Sequence, residues 1–398
     1  MASCIFGEHL LDERTKPEHI LHDAFGGRKT TSRVICSDCN NMFGSGIDKA
    51  LTGQFEVIRN LFQMKSGSGS TAPMLRKVKA GSQTINVHGD GDLRLVTKPF
   101  TVTKHPDGRF DLRVTASTLE EMQRHIPNIA ASLGISEEQV RELLVTAKAS
   151  MVEWRPGPVG FNMTFGGPDA LRSVAKACLV LWALKVGNEE VKGRSYDGIR
   201  NYILNDDPSY VAPRTNLDTR LSAAAEKIKN QYGPLFNLVY VRSDDAGKVI
   251  GHITIYNILA FQVVLAESGG TPHQATALVS NSLNPGDWSD DVAETFDLPF
   301  GWLAQPEYST TAARDRFCEI QKVYEALFRP KEVGRLSDSV FSKYGVGQQD
   351  AIPEAIREQA LGELFDRAAR HMVGIPYETS VTEDQLREAL ETKGDDQK

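Results

Sequence analysis

Apolar positions three and four residues apart run through "GGPDALRSVAKACLVLWALKVG". Leu171, Val174, Ala175, Cys178, Leu179, Leu181 and Trp182 share one helix face, and Gly187 stops the pattern. A second helical spacing, "LTGQFEVIRNLFQM", is followed by "KSGSGSTAP" (residues 65–73), a Gly/Ser run that reads as a flexible connector and a domain boundary. The stretch "SQTINVHGDGDLRLVTKPFTVTKHPDGRFDLRVTAS" alternates with the strand period and carries a hairpin signal at Pro106–Gly108. "TLEEMQRHIPNIAASLGISEEQVRELLVTAKA" predicts two short helices, the second capped by Ser136 with Glu137 and Glu138 in its first turn. "SYDGIRNYILNDD" predicts another helix, and "FNLVYVRSDDAGKVIGHITIYNILAFQVVLAES" two or three antiparallel strands turned at "DDAGK". From Thr311 the pattern is mostly helical and ends in a polar, fraying "KGDDQK". The expected fold class is α+β with antiparallel strands rather than a doubly wound sheet. The expected domains are residues 1–64, a linker over 65–81, a mixed body over 82–310 and a helical region over 311–398.

Composition changes this picture little. A chain of 398 residues with 40% hydrophobic and 24% charged residues can bury a core and is long enough for two or three domains. No apolar run approaches a membrane span, and "MASCIFGEHLL" lacks the basic and apolar regions of a secretory signal. Five cysteines, three of them in the first 39 residues, fit reduced thiols in a bacterial-type cytoplasm, some binding metal, better than a disulfide framework. Cys178, on the apolar helix face, reads as a packed small hydrophobe. The net charge of −7 argues against a generic nucleic-acid coat protein but leaves local basic clusters. These are Arg28, Lys29 and Arg33, then Arg76, Lys77 and Lys79, which read either as phosphate contacts or as solvated faces.

The chemistry concentrates in the N-terminal segment. "CSDCNNMFG" (residues 36–44) spaces Cys36 and Cys39 as a metal knuckle or a redox pair. Asp38 between them opposes the thiolate a redox pair needs, so structural zinc leads, with a degenerate, metal-free knuckle as the alternative. Cys4 supplies a third sulfur, but Gly7 stands where a paired knuckle would place a fourth. His9 can complete the set, with Glu8 the poorer candidate. Between these pieces lie Glu18–His19, His22 and Gly26–Gly27. A carboxylate beside an imidazole can hold a hard divalent cation and take a proton from water at one phosphate. Asn40, directly after the knuckle, offers a second oxygen ligand, and Asn41 reads as a helix-start residue without chemistry.

"PEHILHDAFGG" followed by "VICSDCNN" resembles the HNH endonucleases, the ββα-metal fold, over roughly residues 4 to 50. The resemblance implies His19 as general base, Glu18 and Asn40 as ligands of catalytic Mg²⁺ or Mn²⁺, and Cys4, Cys36 and Cys39, with His9, as ligands of structural Zn²⁺. This sequence departs from the family pattern at Gly7, at Glu18 where Asp is commoner, and at His22 where Pro is frequent; His22 reads as a surface histidine ahead of a spare ligand or a phosphate contact. It also places Thr31 or Ser32 where an Asn usually orients the base, so a hydroxyl or a backbone carbonyl must serve. The implied reaction is hydrolysis of phosphodiester bonds in DNA, with RNA not excluded, and double-strand cutting by such a unit needs a dimer or two events. No P-loop signature occurs, and "FGG" at 165–167 reads as a turn into the following helix. The body after the HNH-like unit would gate the cut or bind a regulatory partner, and by analogy the whole would act in defence against phage or plasmids. The competing reading is a zinc ribbon that binds nucleic acid or protein without cutting.

Overall fold

The computed structural model describes residues 3–81, 83–116, 118–153, 159–210, 214–347, 350–373 and 375–391, and the polar tail expected at 393–398 lies outside them. The chain is α+β, as its pattern predicts, and folds into two compact units. One comprises Met1–Leu75, His88–Gly91 and Phe161–Leu327; the other comprises Arg76–Val87, Asp92–Gly160 and Phe328–Lys398.

The first unit is built on a six-stranded antiparallel sheet. Across it the strands run Trp288–Asp290, Ala275–Asn281, Phe236–Ser243, Val249–Ile255, Leu259–Ala266 and Thr215–Asp218. The three central strands are buried along nearly their whole length, as expected of strands covered on both faces. On one face, helix Ala225–Tyr232 packs with Phe296, Leu298 and Leu303 against Phe236, Leu238, Tyr240 and Ile250. On the other lies helix Pro168–Val186, buried almost continuously from Ser173 to Ala183. A Cβ on Gly251 would fall 2.6 Å from Cys178 Sγ, so a glycine there lets helix and sheet approach closely. Cys178 is a core residue, and burial pushes its thiol well above the ordinary range.

The N-terminal segment belongs to the same unit. Strands β1 (Glu18–His19) and β2 (Thr30–Thr31) pair antiparallel, Glu18 opposite Thr31 and His19 opposite Thr30. Helix α1 (Ser37–Ser45) follows, with Cys36 as its extended N-cap, and then α2 (Ile47–Gly53) and α3 (Glu56–Leu61). The hairpin-then-helix order is the ββα arrangement. In the Gly/Ser run read as a flexible connector, the Gly67 and Ser68 amides donate to Asp23 at 2.8 and 2.7 Å, and Leu75–Ala80 is a strand.

In the second unit, the hairpin Phe100–Lys104/Phe110–Val114 turns at the expected "HPDG". Helices Leu119–Leu133 and Glu137–Val145 share a core of Ile126, Ile129, Val140 and Leu144 with Leu390. Ser136 and Gln139 form a reciprocal capping box at the second of these helices, with Ser136 the cap read from sequence. No helix of the described residues is long and apolar enough to cross a membrane.

Candidate active site

The thiols come together first. Cys4, Cys36 and Cys39 place their sulfurs within 4.8 Å of one another, Cys4 and Cys39 being 3.8 Å apart. A tetrahedral zinc with Zn–S bonds near 2.3 Å has edges of about 3.8 Å, so the spacing fits that ion. The Phe6 and Cys36 amides donate to Cys4 Sγ at 3.4 and 3.3 Å, fixing the knuckle. His9, held by a bond from the Cys4 amide to its carbonyl, brings Nδ1 to 3.3 Å from Cys36 Sγ. Gly7 lies in the intervening turn with open space around its Cα. A hydrogen bond from the Cys39 thiol pulls Cys4 down to about 5 against the opposing effect of burial, while the same contact pushes Cys39 up. Three crowded sulfurs thus share negative charge unequally, a conflict that a divalent cation among them would remove. The cluster can bind zinc.

The hairpin presents the next group. Gly27 packs so tightly against the preceding turn that a Cβ would lie 1.8 Å from Leu21 O, and Gly26 takes a left-handed φ of 87°. The close turn brings Gly27 O to 3.1 Å from His19 Nδ1. A carbonyl only accepts, so Nδ1 carries a proton, and in the neutral ring Nε2 is then the nitrogen with the lone pair. The backbone carbonyl therefore orients the imidazole where the family pattern has an Asn, and His19 is half-buried, open on one side. Asn40, buried on α1, donates from Nδ2 to Lys16 O and Pro17 O at 3.3 and 3.0 Å, tying the helix to the start of β1. Among the described residues its Oδ1 has no hydrogen-bond partner, which leaves the oxygen end of the amide available.

Residues 4–56 match the HNH endonuclease family. No curated protein and no solved structure matches the chain. The HNH segment is about an eighth of the chain, and it contains the cysteine cluster, Glu18, His19 and Asn40.

Glu18 lies within the HNH segment, but its partner does not. Its Oε1 accepts a short hydrogen bond from Lys176 Nζ on the buried Pro168–Val186 helix. The same ammonium donates to Asp48 Oδ2 at 2.6 Å and sits 5.8 Å over the Phe43 ring. Asp48 Oδ1 accepts from Ser173 Oγ at 2.6 Å and lies 3.0 Å from His22 Nε2, which in turn is 2.7 Å from Ser173 Oγ. Burial would raise the Asp48 carboxyl, yet Lys176 and His22 hold it well below the usual carboxylate range. Burial would likewise lower Lys176, and Asp48 and Glu18 keep it charged.

His22 is therefore no surface histidine; it is 7% exposed and part of this network. The reading from sequence also missed Lys176, Asp48 and Ser173. One signal was present: Lys176 is a lone charge inside the apolar run "SVAKACLVLW", and a helix buried all round must give such a lysine an internal counter-ion. Of the basic cluster, Arg28 and Arg33 are exposed, and Lys29 pairs with Asp290 at 2.5 Å. Asn41 accepts from Lys16 Nζ at 2.9 Å on the exposed side of α1.

Proposed function

We propose that this chain is a metal-dependent endonuclease that hydrolyses phosphodiester bonds in DNA. The observation that carries the reading is the half-buried His19 on the hairpin of a matched HNH segment, with its Nδ1 proton committed to Gly27 O and its Nε2 without a hydrogen-bond partner among the described residues. A neutral imidazole fixed this way takes a proton from water at Nε2 as the water attacks phosphorus. Cys4, Cys36, Cys39 and His9 hold zinc and lock the knuckle from which α1 starts. Glu18, through the oxygen that Lys176 does not engage, and Asn40, through Oδ1, would hold the catalytic divalent cation. That cation, Mg²⁺ or Mn²⁺, supplies stabilisation of the charge that develops on the phosphate and leaving oxygens. Arg28 and Arg33, exposed beside the hairpin, contact backbone phosphates and position the duplex without reading bases.

The test is nicking of supercoiled plasmid by the full chain in Mg²⁺, Mn²⁺ or Ni²⁺, with zinc measured on the same samples. Wild type should nick, and His19→Ala should lose the activity by a hundredfold or more while keeping its zinc. Retention on DNA with no cleavage in any metal, unchanged by His19→Ala, would establish the zinc-ribbon reading instead. A role in bacterial defence predicts that cells carrying the wild-type protein resist phage or plasmid entry and that cells carrying His19→Ala do not.

A further inference from the structure

The HNH segment ends at residue 56, but the residue that grips its first acidic side chain is at position 176. Lys176 is 1% exposed and lies between two carboxylates, Glu18 and Asp48, which are 6% and 13% exposed. Phe43 of α1 caps the ammonium, and Ser173 and His22 satisfy the far oxygen of Asp48. A lysine buried this deeply between two carboxylates is held in one place.

We propose that Lys176 is a positioning residue that sets how strongly the HNH centre holds its divalent cation. It does so in two ways. By bonding Glu18 Oε1 it fixes the carboxylate so that one oxygen remains for the cation, as a partner behind a metal ligand commonly does. By its charge it opposes a cation held by the other oxygen of the same carboxylate. Asp48 offsets part of that charge. Lys176 and the two carboxylates together carry one net negative charge, so the centre binds a divalent ion weakly and releases it readily. Of the two effects the charge is the larger, because Coulomb interactions between close charges are only partly screened inside a protein, whereas the bond only orients the carboxylate.

This inference rests on the proposed assignment of Glu18 as a cation ligand. Its test is binding rather than turnover. Free Mn²⁺ is measured by electron paramagnetic resonance during titration of the zinc-loaded full chain carrying His19→Ala, which cannot turn over. Adding Lys176→Met should tighten Mn²⁺ at least tenfold, adding Asp48→Asn should weaken it at least threefold, and adding Glu18→Gln should weaken it most. The opposite signs for Lys176 and Asp48 are diagnostic, since a network that served the fold alone would loosen the site in both variants. Unchanged or weaker binding in a folded Lys176→Met overturns the proposal. Where that variant fails to fold, unchanged or tighter binding in Asp48→Asn overturns it equally. Mn²⁺ affinity that ignores Glu18→Gln overturns it by removing its ligand. A chain that follows the expected order of affinities yet never nicks DNA upholds Lys176 and removes the nuclease reading.

Discussion

At the residue scale, the centre depends on one carbonyl being in one place. Gly27 O orients His19 because Gly27 has no side chain to push it off Leu21 O. Gly27→Ala forces that contact open and should cost on the order of 2 kcal/mol or more, with nicking lost along with the orientation of the imidazole. Gly7→Ala, whose new methyl meets nothing within 4 Å, should leave both unchanged. Thermal melts and plasmid nicking on the two variants check the pair. The sulfur cluster was legible: Cys4, Cys36 and Cys39, with His9 against Cys36, all lie in one short segment whose local spacing brings them together. His22 was not, because its partners are Asp48, a helix away, and Ser173, 151 residues along the chain. Sequence neighbours say nothing about a group whose surroundings come from elsewhere.

At the element scale, the hydrophobic patterns predicted the elements well because each was locally consistent. Helix Pro168–Val186 begins with Pro168 in its first turn and stops at Gly187, and the strands around "DDAGK" pair with the turn between them. What the patterns left out is the polar content of the sheet. His252 sits in the middle of strand Val249–Ile255, with Nε2 3.1 Å from Thr254 Oγ1 and its ring edge-on to Trp302. Burial drives it from 6.5 down to about 4, with Asp218 opposing and Arg220 adding to the fall. In the unfolded chain an ordinary histidine protonates first as pH falls, so the unfolded state takes up the proton between about 6.5 and 4. Stability is therefore unaffected above that window and drops within it, by about 3 kcal/mol in full. Asp48 acts lower: its depressed carboxyl contributes stability above the unfolded value near 4 and loses it only below. Urea unfolding at pH 7.5 and pH 5 separates them. Wild type should lose more stability between the two than His252→Gln does.

At the scale of the whole molecule, the HNH segment resembles the cap of a larger core more than a module on a string. Phe25 packs edge-on against Phe55 and Tyr256, and its carbonyl accepts from the buried Asn237 of the sheet. Asn188 donates to Ser3 O and Arg33 O, and Arg200 to Ile5 O. Lys176 completes the attachment from inside. None of this was visible in a sequence whose composition shifts suggested a boundary near residue 64, since attachment runs through pairs separated by well over a hundred positions. Residues 1–64 cut free would keep zinc ligands and hairpin but leave Glu18 and Asp48 without their ammonium and Phe25 and Phe55 without their covering. Removing one partner of a buried ion pair costs about 3–5 kcal/mol, comparable to the whole stability of a domain of that size. The excised segment should bind zinc through its cysteines, yet show poorly dispersed, exchange-broadened amide spectra, bind a hydrophobic dye, and fail to nick DNA at concentrations where the full chain does. A fragment 1–64 with sharp spectra, no dye binding and full nicking activity would mean that the body is not needed to build the centre.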